Sequence, residues 1–217
     1  MSPMIQKEQE HYIRALERID EVFRKHNVQY WLDAGTLLCA YRDGDLSNEH
    51  DIDIGVYGED YDKIVSLSEE LRHGIQWRIS HTKLYHTISI DDLPGSKLHC
   101  DVIQWHSAPA PSGGIRTCWG VRLPFCVPSG MLDEFVEIKL EKLSDRKFFA
   151  PAQTERYLEM YYGKEDWKVP MEGIDYHNYQ MGASKRTIER YEINKNNDAC
   201  TEFWKQRLGY KTSYLDY

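Results

Sequence analysis

The chain has 217 residues and 41% hydrophobic content, so it can bury one substantial core. Its formal net charge of −8 argues against a general nucleic-acid binder, because duplex binding depends largely on Lys and Arg that neutralise phosphates. No apolar run approaches the ~20 residues that span a bilayer, and the first residues lack the apolar core of a signal peptide. These features predict a cytoplasmic protein without an integral membrane segment.

Apolar periodicity at the start of the chain predicts a helix, a strand, a tight turn and a second helix. The apolar face of the first helix recurs at Tyr12, Leu16, Ile19 and Phe23. A strand follows at residues 28–32, and Gly35 and Thr36 then form a turn into a short helix. The free N–H groups of a helix N-terminus attract phosphate, and a glycine lets the phosphate approach the backbone closely. This turn is therefore a candidate phosphate-binding site.

Asp51 and Asp53 belong to a segment that alternates acidic and aliphatic residues, Asp-Ile-Asp-Ile. On a strand, both carboxylates lie on one face and both isoleucines on the other. Two neighbouring carboxylates repel each other unless a cation lies between them, and hard oxygen ligands suit Mg²⁺ or Mn²⁺. The spacing therefore predicts a divalent-cation site.

The rest of the chain predicts alternating helical and extended segments. A helix is expected over residues 61–71. Strands are expected at residues 75–80, 84–90 and 97–105, in the segment 115–127, and in a hairpin formed by 136–140 and 146–149. The composition of residues 107–114 predicts a loop. Thr154 is expected to cap a further helix that ends at Gly163, and the tail from 171 shows weak helical periodicity.

Asp101 lies inside the predicted strand 97–105, between aliphatic neighbours. An acid in such a place needs a partner, since an unpaired buried charge is costly. Metal coordination and a salt bridge to Lys or Arg are the two alternatives. The acids upstream favour the metal, because clustered carboxylates form the usual site for a hard cation.

Five cysteines occur without a C-x-x-C pair, which does not predict a disulfide framework. A structural zinc site is conceivable because His99, His106 and three cysteines lie within residues 99–126. Without paired ligand spacing, reduced buried thiols are the favoured interpretation.

The run WLDAGTLLCAYRDGD followed by HDIDIGV resembles the signature of the LicD/fukutin family, within the nucleotidyltransferase-fold superfamily. A later segment, YLEMYYG followed by DWKVP, resembles the closing motif of that family. The resemblance spans about residues 28–170. It places a catalytic and metal-binding role on Asp51, Asp53 and, as the third carboxylate of a later strand, Asp101.

The resemblance also implies that Gly35 and Thr36 bind the donor phosphate. Arg42 is a candidate phosphate ligand as well, with a salt bridge to Asp43 or Asp45 as the alternative. Lys168, in the closing motif, is a candidate nucleotide contact, whereas the neighbouring Trp167 favours packing over stacking on a base.

Members of this family move a phosphorylated alcohol, such as phosphocholine or ribitol phosphate, from a CDP-linked donor to a sugar or glycan hydroxyl and release CMP. The expected cofactor is Mg²⁺ or Mn²⁺. One alternative is transfer of a nucleotide from a triphosphate to a small-molecule hydroxyl. The other is a non-catalytic nucleotide-binding or scaffold protein, which gains support because Cys39, Glu49 and His50 depart from the family's usual residues.

The expected fold is α/β: a twisted mixed sheet of about five strands, with helices mainly on one face and a C-terminal hairpin and helices that close the cleft. The expected organisation is a nucleotidyltransferase-like catalytic domain over residues 1–170. A helical extension over 171–217 is expected to pack on the same domain.

Overall fold

The computed structural model describes residues 3–47, 49, 51–73, 77–81, 85–90, 98–110, 113–119, 124–164, 166–169, 202–204 and 206. The α-helices are α1 Pro3–Lys25, α2 Ala34–Arg42, α3 Tyr61–Ser66, α4 Ser68–Arg72 and α5 Thr154–Tyr162. Short 3₁₀ turns occupy Gly58–Asp60, Ser129–Leu132 and Asp166–Lys168. The strands are β1 Tyr30–Leu32, β2 Ile52–Tyr57, β3 Trp77–His81, β4 Tyr85–Ile90, β5 Leu98–Ala110, β6 Gly113–Trp119, β7 Pro124–Pro128, β8 Phe135–Lys139 and β9 Lys147–Pro151.

The chain forms two compact units. The first contains residues 1–104 and 135–150, and the second contains residues 105–134 and 151–217. In the first unit a mixed five-stranded sheet has the order β1-β2-β5-β4-β3, and β8 pairs with β9 in a separate two-stranded sheet. The predicted α/β class with a sheet of about five strands is therefore confirmed.

The core of the first unit lies where α1 meets β1. The predicted apolar face of α1 is buried, and Leu16, Ile19 and Phe23 have no exposed surface. The ring of Phe23 contacts that of Tyr30 edge to face at 5.9 Å between centroids. Burial of these large side chains stabilises the unit because it removes apolar surface from water, at roughly 25 cal/mol per Å².

The register of β1 and β2 fixes the start of the site. The two strands are antiparallel, with Trp31 opposite Gly55 and Leu32 opposite Ile54. One step further along this ladder, the N–H of Asp33 donates to the carbonyl oxygen of Asp53 at 3.0 Å. The pairing thus brings the beginning of α2 beside the acidic strand.

In the second unit, the end of β5 continues into an antiparallel arrangement with β6 and β7. Aromatic side chains fill its core, and the ring centroids of Phe125 and Tyr161 lie 4.7 Å apart. The indole N–H of Trp204, which is fully buried, donates to Oγ1 of Thr117 at 2.9 Å. Most of residues 171–217 lie outside the described part of the chain, so the helical extension stays a prediction.

Two local predictions are wrong. The loop expected at residues 107–114 is strand over 107–110 and 113–114, with Ala110 opposite Gly113. Proline and glycine are tolerated there because they lie at the end of a strand ladder, where a missing N–H or side chain costs least.

The helix expected over 61–71 is two short helices, α3 and α4. The hydroxyls of Ser66 and Ser68 donate to the carbonyl oxygens of Lys63 and Val65, which competes with the regular helical pattern around Leu67.

Of the helices that the structure describes, none combines the length and the apolar character needed to cross a bilayer.

Candidate functional site

Three carboxylates form a cluster at the start of β2. Glu49, Asp51 and Asp53 each offer an oxygen, and these oxygens lie within 4.8 Å of one another. As whole residues the three acids are partly exposed, although the Asp53 carboxyl group itself is surrounded by protein, whereas Ile52 and Ile54 are fully buried. Within β2 the predicted alternation is present, because Asp53 is partly exposed while Ile52 and Ile54 pack into the core. Asp51 and Glu49 precede the strand.

Asp53 lies at the electrostatic centre of this cluster. Burial raises the pKa of its carboxyl group well above the ordinary value, and the nearby charges of Asp51, Glu49, Asp101 and Asp33 raise it further. Each additional negative charge makes ionisation of Asp53 less favourable. A cation among these carboxylates would reverse that balance.

The Gly-Thr turn holds Asp53 in place. The N–H of Gly35 donates to Oδ2 of Asp53 at 3.2 Å, and Oγ1 of Thr36 accepts a hydrogen bond from the Asp53 N–H at 2.8 Å. Thr36 is fully buried. These groups thus orient an acid of the site, and their predicted contact with a phosphate stays a prediction.

Asp33 is a site-shaping residue that the sequence did not single out. Its fully buried carboxylate accepts from the N–H of Ala34 at 2.8 Å as the N-cap of α2. Ala34 has a φ of 40°, which is unusual for a residue with a side chain. The cap satisfies the N–H of a strained residue, and the resulting turn presents the next N–H, of Gly35, to Asp53.

Glu49 was also missed as a site residue, although the sequence contained a signal for it. The two-residue spacing of Asp51 and Asp53 extends back to Glu49. In the structure, a Cβ added to Gly35 would lie 2.2 Å from Oε2 of Glu49. The glycine therefore makes room for this carboxylate, in addition to the backbone access that the sequence suggested. His50, between these acids, lies outside the described residues.

Asp101 is on β5, opposite Thr87 of β4 and in the strand that neighbours β2. Its side chain is partly exposed, and its charge contributes to the raised pKa of Asp53. It does not belong to the group of oxygens within 4.8 Å of one another. Its predicted role as metal ligand and base stays a prediction.

Arg42 forms the salt bridge that the sequence left open as an alternative. Its Nε and Nη2 donate to the two carboxylate oxygens of Asp43, both at 2.7 Å. Only 8% of the Arg42 side chain is exposed, so this pair is largely shielded from water. The predicted contact of Arg42 with phosphate stays a prediction.

Lys168 belongs to the second unit, in the 3₁₀ turn Asp166–Lys168. Its ammonium group lies 5.8 Å from the ring centroid of Trp167, within cation–π distance. Trp167 is buried, as its packing interpretation predicts. A contact between Lys168 and a nucleotide stays a prediction.

The described cysteines agree with reduced, buried thiols. Cys39, Cys100, Cys118 and Cys126 are buried and are not assigned to a disulfide. Burial raises the thiol pKa of Cys39 and of Cys100, and nearby acids raise both further, which disfavours the thiolate that zinc requires. Among the described side chains, the acidic cluster is the one group with metal-ligand spacing.

Comparison with known proteins gives matches of different extent. Residues 27–113 match the family described as LicD/FKTN/FKRP, nucleotidyltransferase domain. An uncharacterized protein of Rickettsia typhi is 35% identical over 66 residues, which are 30% of this chain. The match spans about one fifth (21%) of the length of that relative.

Two solved structures show a partial likeness to this chain. The solution structure of the antibiotic-resistance factor ANT(2'')-Ia has a TM-score of 0.48 and 17% identity, over 92% of this chain and 99% of that chain. The lincomycin-bound lincosamide antibiotic adenylyltransferase LnuA has a TM-score of 0.43 and 18% identity, over 77% of this chain and 93% of that chain.

The family match includes the Gly-Thr turn, the three clustered acids and Asp101. Over residues 27–113, this chain is therefore similar to the nucleotidyltransferase domain of the LicD/FKTN/FKRP family, as its motifs predicted.

Proposed function

We propose that the protein is a metal-dependent transferase that moves a phosphorylated alcohol from a CDP-linked donor to a hydroxyl of a sugar or glycan and releases CMP. The observation that carries this proposal is the cluster of Glu49, Asp51 and Asp53 within the family match. Phosphoryl transfer requires chiefly positioning and charge neutralisation, and clustered carboxylates provide them by holding a cation.

The residues present fit a hard divalent cation. Three carboxylates with oxygens within 4.8 Å supply the hard ligands that Mg²⁺ and Mn²⁺ prefer. The raised pKa of Asp53 indicates negative charge that the surrounding protein leaves uncompensated. When bound, Mg²⁺ would neutralise the donor diphosphate.

In this proposal Asp101 accepts the proton of the acceptor hydroxyl. The hydroxyl oxygen forms a bond to the phosphorus of the phosphorylated alcohol as the bond from that phosphorus to CMP breaks. Gly35 and Thr36 hold Asp53 in the orientation that the site needs. Arg42, whose Nε and Nη2 donate to Asp43, is a proposed contact of the donor phosphate, and Lys168 is separately a proposed contact of the nucleotide.

The second candidate is transfer of a nucleotide from a triphosphate, with release of pyrophosphate. It is favoured by the description of the matching family as a nucleotidyltransferase domain. The same acids serve both reactions, and the two differ in which phosphorus the hydroxyl attacks. A non-catalytic nucleotide-binding protein is the third candidate, and retention of repelling acids counts against it.

Product analysis distinguishes these candidates. The purified protein is incubated with Mg²⁺, a panel of sugar acceptors, and either CDP-alcohols or nucleoside triphosphates. CMP release that depends on both metal and acceptor supports the proposed transfer and identifies the donor. Pyrophosphate release supports the second candidate.

Asp53→Asn provides the matched loss-of-charge variant, and Asp62→Asn on α3 is the control acid outside the cluster. Loss of product in the first variant alone links the reaction to the cluster. If neither donor class reacts, and Mg²⁺-dependent nucleotide binding is equal in wild type and Asp53→Asn, the transferase proposal is wrong.

A further inference from the structure

The loop between α2 and β2 carries Glu49 to the acidic cluster, and its conformation is held by a buried aspartate. The carboxylate of Asp45 is only 7% exposed. Its Oδ1 accepts from the Ser47 N–H at 3.0 Å and from the Ser47 hydroxyl at 2.7 Å. Its Oδ2 accepts from Nζ of Lys142 at 2.9 Å. Asp45 therefore links the loop to the segment between β8 and β9.

A backbone contact reinforces this link. The N–H of Lys142 donates to the carbonyl oxygen of Gly44 at 3.1 Å. Gly44 has a φ of +70°, which favours glycine, and a Cβ added to it would lie 3.7 Å from Cβ of Glu141. The loop thus contacts the β8–β9 connection through both main chain and side chain.

The segment that Asp45 anchors is connected to Glu49 by a backbone hydrogen bond. Leu46, next to Asp45, is buried, and its carbonyl oxygen accepts from the Glu49 N–H at 3.1 Å. The Glu49 carboxylate then lies against Gly35. Asp53 is placed differently, because it lies in β2, where its carbonyl oxygen accepts from the Asp33 N–H and its own N–H donates to Oγ1 of Thr36. Asp51 immediately precedes that strand.

We propose that Lys142 and Asp45 are positioning residues that fix the loop carrying Glu49 and thereby set the cation affinity of the acidic cluster. This inference rests on the proposed function, since it assumes that the cluster binds a divalent cation. Lys142 acts through Asp45 and Glu49 and need not touch the cation.

The physical reason is the cost of burying an unpaired charge. Removing the Lys142 ammonium leaves Asp45 shielded from water with only Ser47 as a described partner, so the loop relaxes to hydrate the carboxylate. Glu49 then loses its fixed distance to Asp51 and Asp53. Because Asp53 remains in β2 and Asp51 remains next to it, the expected outcome is weaker cation binding, not its complete loss.

The test is titration of the full chain with Mn²⁺, with free Mn²⁺ followed by electron paramagnetic resonance. Lys142→Met and Asp45→Asn are each expected to weaken Mn²⁺ binding about tenfold, as for residues that orient metal ligands. Lys142→Arg keeps a positively charged side chain that reaches Asp45, so this variant is expected to retain most of the wild-type affinity for Mn²⁺.

Lys139→Met is the matched control, because Lys139 has the same charge on the same hairpin. Its ammonium lies 3.0 Å from the fully exposed Asp145, outside the described contacts of the Asp45 loop. The control is expected to bind Mn²⁺ like wild type. Circular dichroism and urea unfolding of every variant establish that the compared proteins are folded.

A double-mutant cycle tests the proposed route through Glu49. Glu49→Gln alone is expected to weaken Mn²⁺ binding, and adding Lys142→Met to it is expected to cause little further loss. Unchanged affinity in Lys142→Met, or a full additive loss in the double variant, overturns the inference while the proposed function stands. Wild-type protein that binds no Mn²⁺, or binds it equally well after Asp53→Asn, overturns both.

Discussion

The Glu49 carboxylate packs directly against the Cα of Gly35. A Cβ at position 35 would lie 2.2 Å from Oε2 of Glu49, far inside van der Waals contact. The position of this glutamate therefore depends on the absence of a side chain 14 residues earlier. Glu49 in turn lies within 4.8 Å of the two other acids of the cluster. The glycine of the Gly-Thr turn is thus part of the geometry of the acidic site.

Gly35→Ala is expected to displace the Glu49 carboxylate and weaken Mn²⁺ binding by about tenfold, because one oriented ligand is lost. Isothermal titration with Mn²⁺ measures the change. In a Glu49→Ala background the same substitution meets no carboxylate, so it is expected to have little added effect. A large added loss there would show that Gly35 acts by another route.

Gly55→Ala is expected to destabilise the first unit. A Cβ at this position would lie 2.2 Å from Cε2 of Trp31, a buried ring that also stacks on Phe135 at 5.2 Å. Overpacking of this kind costs about 1–3 kcal/mol in the free energy of unfolding. Urea unfolding measures it, and Gly130→Ala, whose Cβ would have its nearest neighbour at 4.0 Å, is the control. Equal stability of the two variants would contradict the prediction.

Thr36→Val is expected to cost about 1–3 kcal/mol in the free energy of unfolding, because the N–H of Asp53 loses its buried acceptor. Thr36→Ser keeps the hydroxyl and is the matched variant. Chemical denaturation compares the two, and amide hydrogen exchange at Asp53 tests the local cause. The prediction fails if valine and serine have the same effect.

Asp45 is expected to contribute stability at neutral pH that is lost in acid. Burial alone would raise the pKa of its carboxyl group, but the hydrogen bonds from Lys142 and Ser47 outweigh that effect and lower it. A lowered folded-state pKa means that the contribution is present above the unfolded value, about 4, and declines as the pH falls through the folded-state pKa.

Urea unfolding of wild type and Asp45→Asn from pH 7 to pH 3 measures this dependence. The variant is expected to be less stable at pH 7, and the difference between the two proteins is expected to shrink below about pH 4. Asp145→Asn, which removes an exposed acid, is the control. A difference that stays constant across this range would contradict the assignment.

The local sequence was sufficient to predict which face of a helix or strand is buried wherever the apolar residues recur at regular spacing. The face of α1 around Leu16 and Phe23 and the alternation of Ile52 and Ile54 were predicted correctly, because spacing alone decides which side of a helix or strand is apolar. Composition was misleading at residues 107–110. Proline and alanine there extend β5, since pairing with β6 outweighs their local preference.

By itself, the sequence determined the resemblance to the LicD/FKTN/FKRP family over residues 27–113, the Gly-Thr turn, and the alternation of Asp53 with the buried Ile52 and Ile54, because these depend on the order and spacing of neighbouring residues. Only the tertiary structure decided that Thr36 and Gly35 hold Asp53, and that Gly35 makes room for the Glu49 carboxylate. It also decided that Lys142, 97 residues away in sequence, bonds to Asp45. Contacts across such separations depend on how elements pack, and no local spacing contains that information.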